Sequence, residues 1–229
     1  MNVGETLRET FAIYRDNAGV LLPVAFWLFL LAGMIEELTP LIVGLVGLAV
    51  GTLYQGMVVG LVKDLQDGRR DYSVPDLMRS VLSVFWRLLG AGFLTALGIV
   101  GGLVLLIVPG VYLLTVWAVV APVIVIERRR VTDSLGRSRQ LVRGNGWPVL
   151  GAVMVGFLVA AIAGPGLSAL ATSIVDGEIV DLVFTVLAQT VAAPVAALIA
   201  SVLYFRLLEI QRQRPAPEPS ADDLPPRLP

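Results

Sequence analysis

The chain has 229 residues, of which 56% are hydrophobic and 15% charged, and its mean hydropathy is +0.82. Soluble domains carry ~25% charged residues, so this composition excludes a soluble globular enzyme, a disordered chain and a nucleic-acid-binding protein. The formal net charge is −1, and there is no His and no Cys; the commonest general base, the commonest metal ligand, any disulfide and any thiol nucleophile are absent.

Residues 3–17, VGETLRETFAIYRDN, place Val3, Leu7, Thr10, Phe11 and Tyr14 on one face and Glu5, Arg8, Glu9 and Asp16 opposite. The spacing predicts an amphipathic helix lying on a membrane surface. Its three acids are not the basic start of a signal peptide. A span needs about 20 apolar residues, and the first two are expected at about 18–35 and 40–62. A second surface helix is expected over 74–82. From Leu88 to Ile126 no residue is charged; at ~1.5 Å per residue this run reaches roughly 58 Å, about twice the hydrocarbon thickness. It has to turn back, and Pro109-Gly110 is its strongest breaker, giving spans over 84–107 and 110–127. A third surface helix is expected over 131–145, then spans over 147–167 and 180–208. The end of the chain, 213–229, is Pro-rich with little to bury, and is expected to be a disordered tail.

The charges test this threading. All 17 Lys and Arg fall before residue 18, in 63–87, in 127–146 or from 206 on, while the opposite loops hold Glu36, Glu37, Asp176, Glu178 and Asp181. The positive-inside rule then makes the basic side cytoplasmic, with both termini inside. The expected fold is an all-α membrane protein, its domain spanning 1–212, with six transmembrane helices as three hairpins. An amphipathic cytoplasmic helix precedes each hairpin. The surface segments also match one another without gaps: Val3 with Val131, Glu5 with Asp133, Thr6 with Ser134, Leu7 with Leu135, Thr10 with Ser138, Asn17 with Asn145. A fainter copy starts at Val74.

Lipid supplies no hydrophobic drive between helices, so close contact falls to small residues. The second span has Gly44, Gly47 and Gly51 on a stripe continuing to Gln55, and the GxxxG spacings Gly47–Gly51 and Gly56–Gly60. The sixth carries Gln189, Ala192, Ala193, Ala196, Ala200 and Ser201 along one side. Helix packing accounts for both stripes; the sharper alternative is a polar cavity holding Thr52, Gln55, Gln189 and Thr190. No ionisable residue falls near the middle of a span, which counts against an ion-coupled pump.

The loop after the fourth span concentrates six arginines: Arg128, Arg129, Arg130, Arg137, Arg139 and Arg143. At headgroup level each attracts anionic lipid by roughly 1 kcal/mol; setting the topology requires the same residues. Glu127, a lone acid among them, is expected to pair with Arg137 or Arg139 and fix the surface helix to the fourth span.

The spacing Trp117, Pro122, Glu127, followed by SLGRSRQLVRGNGWPVLG, resembles the membrane-domain family named after glycerophosphoryl diester phosphodiesterases. So do the YRDN closing the first helix and the LYFRLLEIQR of the last. The resemblance extends to about Arg214 and implies a six-helix bacterial integral membrane protein of the plasma membrane. Most members have no assigned activity, and in some the membrane domain is fused to a soluble catalytic one. That catalytic domain depends on His residues and carboxylate metal ligands, so its activity does not transfer to a chain without His. No nucleophile elbow and no glycine-rich phosphate loop before a Lys is visible, so neither an enzyme nor a cofactor is expected. Two functions remain: a non-enzymatic accessory or lipid-organising component whose partner is the bilayer and its anionic lipids, and a permease or exporter of a small or amphipathic molecule.

Cysteines placed singly at Glu37 and Asp176 are expected to react with an impermeant thiol reagent added outside intact cells, and one at Arg69 is not; the reverse pattern would refute the threading.

Overall fold

The computed structural model describes residues 2–34, 39–68, 73–162 and 177–213. Among them the chain forms nine α-helices and no strand: α1 (Val3–Gly33), α2 (Pro40–Gln66), α3 (Val74–Leu82), α4 (Phe85–Leu105), α5 (Ile107–Val116), α6 (Val120–Glu127), α7 (Val131–Val142), α8 (Gly146–Ala161) and α9 (Glu178–Gln213). Five helical stretches are long and apolar enough to cross a membrane, α5 and α6 counting together as one; the pair α7 and α8, bent by 111°, makes a sixth if taken as a single span. Glu36, Glu37, Arg69, Arg70, Asp176 and nearly all of the Pro-rich tail lie outside the described residues.

The first helix departs from expectation. Residues 3–17 are not a separate surface helix but the first half of one unbroken helix that runs on to Gly33. Asn2 caps it, its side chain accepting from the Gly4 N–H at 3.0 Å. Nothing between Asn17 and Val20 breaks a helix, and Asn17 donates back to the Ile13 carbonyl. This first half is also held by protein. Arg206 of α9 donates to Glu9 at 2.9 Å and to Glu5 at 3.3 Å. Thr6, Thr10 and Asn17 are buried while Phe11 is exposed, so the packed face is rotated from the predicted one. With 31 and 36 residues, α1 and α9 reach ~46 and ~54 Å, well beyond the ~30 Å hydrocarbon core.

These two helices lie antiparallel. A Cβ added at Gly33 would fall 2.5 Å from Leu182, and the Arg206 pairs close the other end. Tyr54 of α2 donates to the Leu21 carbonyl at 3.1 Å, seating α2 beside α1 in a core with Val58, Leu61, Ala197 and Leu198.

The turn between α4 and α5 falls at Leu106, which is extended, rather than at Pro109-Gly110. Pro109 sits in the first turn of α5, where a missing N–H costs nothing. Gly110 serves close approach instead, since a Cβ on Gly102 would stand 2.9 Å from its Cα. The expected fourth span is broken between Val116 and Val120. The fifth is described only as far as Ile162.

The matched segments share helix register. Val3, Val74 and Val131 are each the first residue of their helix, with Glu5, Asp76 and Asp133 in the first turn. Thr6 and Ser134 make the same bond, each to the carbonyl of the capping residue four positions back, Asn2 and Arg130. Beyond the shared segment the two helices diverge: α1 runs straight on, whereas α7 turns sharply into α8.

The two GxxxG spacings separate. Gly56 packs against Val81 and Leu88, and Gly60 against Leu77, whereas Gly44, Gly47 and Gly51 meet nothing within 4 Å. The predicted packing role therefore holds for the second spacing only. Gly56→Ala is expected to cost about 1–3 kcal/mol by overpacking, because its Cβ would fall 2.7 Å from Val81. Gly47→Ala is expected to be neutral or to stabilise by up to ~1 kcal/mol through helix propensity. Thermal unfolding of the two purified variants checks the pair.

Candidate functional site

The break in the fourth span organises the arginine-rich region. Pro122 has no N–H and its ring crowds the carbonyl four residues before it, so the helix stops at Val116 and restarts at Val120. The Val116 carbonyl left at this break accepts from the Ser138 hydroxyl of α7 at 2.8 Å. Ser138 and Ser134 are fully buried, and Leu141 and Val142 join a core with Val119, Val123, Val149 and Leu203. One face of α7 is thereby fastened to α5, α6 and α9.

Glu127 closes α6 and holds α7 at Arg137, next to Ser138. Its carboxylate accepts from Arg137 Nε at 3.1 Å, Arg129 Nε at 2.6 Å and the Tyr204 hydroxyl at 3.2 Å. The Glu127 and Arg137 side chains are only 17% and 16% exposed. Of the two pairings open from spacing, the structure forms Glu127–Arg137. Tyr204 joins it as a partner that spacing did not point to; its place inside the LYFRLLEIQR segment was the only signal. The chain then reverses through Arg128, a non-glycine residue at φ 53°. Arg87 donates to its carbonyl at 2.9 Å, which holds the turn.

The six arginines thus divide. Arg129 and Arg137 are committed to Glu127. Arg128 reaches Ser83 Oγ at 3.4 Å, and Arg130 caps α7 with its carbonyl. Arg139 and Arg143 are exposed. With Gln140, Tyr112, Val116 and Gly146 they line a groove of about 520 Å³, and no acid is among its described lining residues. It brings guanidinium groups beside apolar side chains, since Tyr112, Val116 and Val142 also line it.

The four predicted cavity residues are not brought together. Thr52 and Gln55 line a cavity of about 100 Å³ with Thr95 and Trp117. Gln189 is exposed. Thr190 is buried with its hydroxyl on the Val186 carbonyl at 2.7 Å. The three spaced residues that stand out in the sequence each do something different. Trp117 lies on Gly98, Pro122 sets the break, and Glu127 gathers α7 and α9.

No protein-family model matches the chain, and neither does any curated protein or any solved structure.

Removing one partner of a buried pair leaves the other charge uncompensated, at about 3–5 kcal/mol. Glu127→Ala is expected near the lower end of that range because Arg137 keeps slight solvent contact. Arg129→Ala, whose side chain is 48% exposed, is expected to cost under ~1 kcal/mol. Chemical denaturation of both variants in detergent tests the ranking.

Proposed function

We propose that the chain is a non-enzymatic multi-pass membrane protein, an accessory component that organises anionic lipid at the cytoplasmic face of a bacterial plasma membrane. In this reading the apolar stretches form six spans with both termini inside. The adjacency of the start of α1 and the end of α9, through Arg206, Glu5 and Glu9, supports placing both termini on one side. The resemblance to the glycerophosphoryl diester phosphodiesterase membrane-domain family agrees with it.

The observation that carries the reading is the mounting of α7. Its serine face is taken up by protein contacts, while Arg139 is exposed in a groove lined also by Arg143, Tyr112, Val116 and Val142, with no acid among its described lining residues. Topology alone requires positive charge near a span end but not a helix docked to present it. Guanidinium groups beside apolar side chains are complementary to an anionic headgroup with its acyl chains. The transport reading would need Thr52, Gln55, Gln189 and Thr190 to line one path; Thr52 and Gln55 line a cavity of about 100 Å³ whose described lining does not include Gln189 or Thr190.

The test is lipid retention by the purified full-length protein. In native mass spectrometry it is expected to keep phosphatidylglycerol in preference to phosphatidylcholine. Replacing Arg130, Arg139 and Arg143 together with Gln removes three charges at ~1 kcal/mol each, which corresponds to a loss of about 100-fold in affinity. Unchanged retention of phosphatidylglycerol by the triple variant would refute the proposal.

A further inference from the structure

The cavity beside the break in the fourth span poses a hydrogen-bonding problem that the protein does not solve with its own groups. It lies between α2, α4 and the junction of α5 with α6, lined by Thr52, Gln55, Thr95, Trp117 and Ala118 among others, with no charged residue among its described lining residues. Of the two carbonyls disturbed by the break, that of Val116 is taken by Ser138. That of Ala118 would ordinarily be paired by the residue four positions on, which is Pro122 and has no N–H to give. Gln55 brings an amide with no hydrogen-bond partner among the described residues. The two threonine hydroxyls have already committed their protons to helix carbonyls, Thr52 to Leu48 and Ala49, Thr95 to Ala91 and Gly92. Their oxygens can only accept.

The balance of groups is therefore one-sided. Gln55 Oε1, the two hydroxyl oxygens and the Ala118 carbonyl are acceptors, and they outnumber the two donor groups, the Gln55 amide and the Trp117 indole N–H. Gln55 is only half-buried, and an amide without a partner beside hydrocarbon is costly to leave dry. An occupant has to donate hydrogen bonds, and without a facing acid it has to be uncharged. The volume of about 100 Å³ has room for about three waters at ~30 Å³ each.

We propose that this cavity is a hydrated site for small uncharged hydrogen-bond donors, with water as its resident. The waters complete the bonding that Pro122 interrupts, so the broken span is repaired on one side by Ser138 and on the other by solvent. This goes beyond lipid binding at α7 and does not depend on it.

Hydroxyl-radical footprinting by X-ray radiolysis tests it, because radicals form from water and label the side chains that touch it. The full-length protein is used in lipid nanodiscs. Trp27 is the internal reference, being 62% exposed on α1 where the bilayer covers it. Trp117 is expected to be modified several-fold faster than Trp27. Gln55→Leu, which replaces the amide with an apolar group of similar size, is expected to bring Trp117 down to the rate of Trp27. Thr95→Val, a near-isosteric change that carries the test should Gln55→Leu fail to fold, is expected to lower it partway. A wild-type Trp117 rate no faster than that of Trp27 would overturn the proposal. So would an unchanged Trp117 rate in either folded variant.

Discussion

Hydrocarbon offers a backbone polar group no partner, so any interruption of a membrane helix has to be repaired by something nearby. In the apolar stretch of α5 and α6 the interruption falls between Val116 and Val120, ahead of Pro122, and its repair determines where α7 lies. The Val116 carbonyl takes the Ser138 hydroxyl, and α7 is drawn against the junction of α5 and α6. Once α7 is seated there, its burial pattern is set: Ser134, Ser138, Leu141 and Val142 inward, Arg139 and Arg143 outward. A straight fourth span would offer no open carbonyl at Val116 and no reason for a serine-faced helix to settle beside it.

Two charged contacts then tie together helices distant in sequence. Glu127 joins α6 to α7 through Arg137 and to α9 through Tyr204. Arg206, two residues further along α9, joins it to the start of α1 through Glu5 and Glu9. The end of α9 thus serves both halves of the molecule, which is why its last turns are charged while its middle is apolar. In the half-buried setting of Glu127 and Arg137 the ion pair is retained because both partners are also hydrogen-bonded; neither could be removed alone without stranding the other.

Much of this is legible in the residues alone. Runs of apolar residues separated by one-sided arginines predict the helices, and Val3, Val74 and Val131 open theirs in the shared register that their alignment implies. The Glu127–Arg137 contact is one of two pairings open from spacing. The features that escape a sequence pattern depend on neighbours that the pattern does not name. An amphipathic stripe over residues 3–17 is selected equally by a membrane surface and by another helix, so the continuity of α1 and its contact with α9 could not be read from it. Pro109 breaks a helix in its interior but is tolerated in its first turn, so the turn falls at Leu106. Gly44, Gly47 and Gly51 permit close packing, yet whether a helix arrives there is decided elsewhere in the fold. Gln189 is exposed rather than beside Gln55 because α9 is seated by Tyr204, Arg206 and its buried apolar residues, not by that glutamine.

The central claim is that Ser138 holds α7 by repairing the break in the fourth span, and hydrogen–deuterium exchange of wild type and Ser138→Ala in nanodiscs tests it most directly. Loss of the hydroxyl is expected to speed exchange across 131–142 and around 116–120 while α1 and α9 keep wild-type protection. Unchanged protection of α7 in Ser138→Ala would contradict the account.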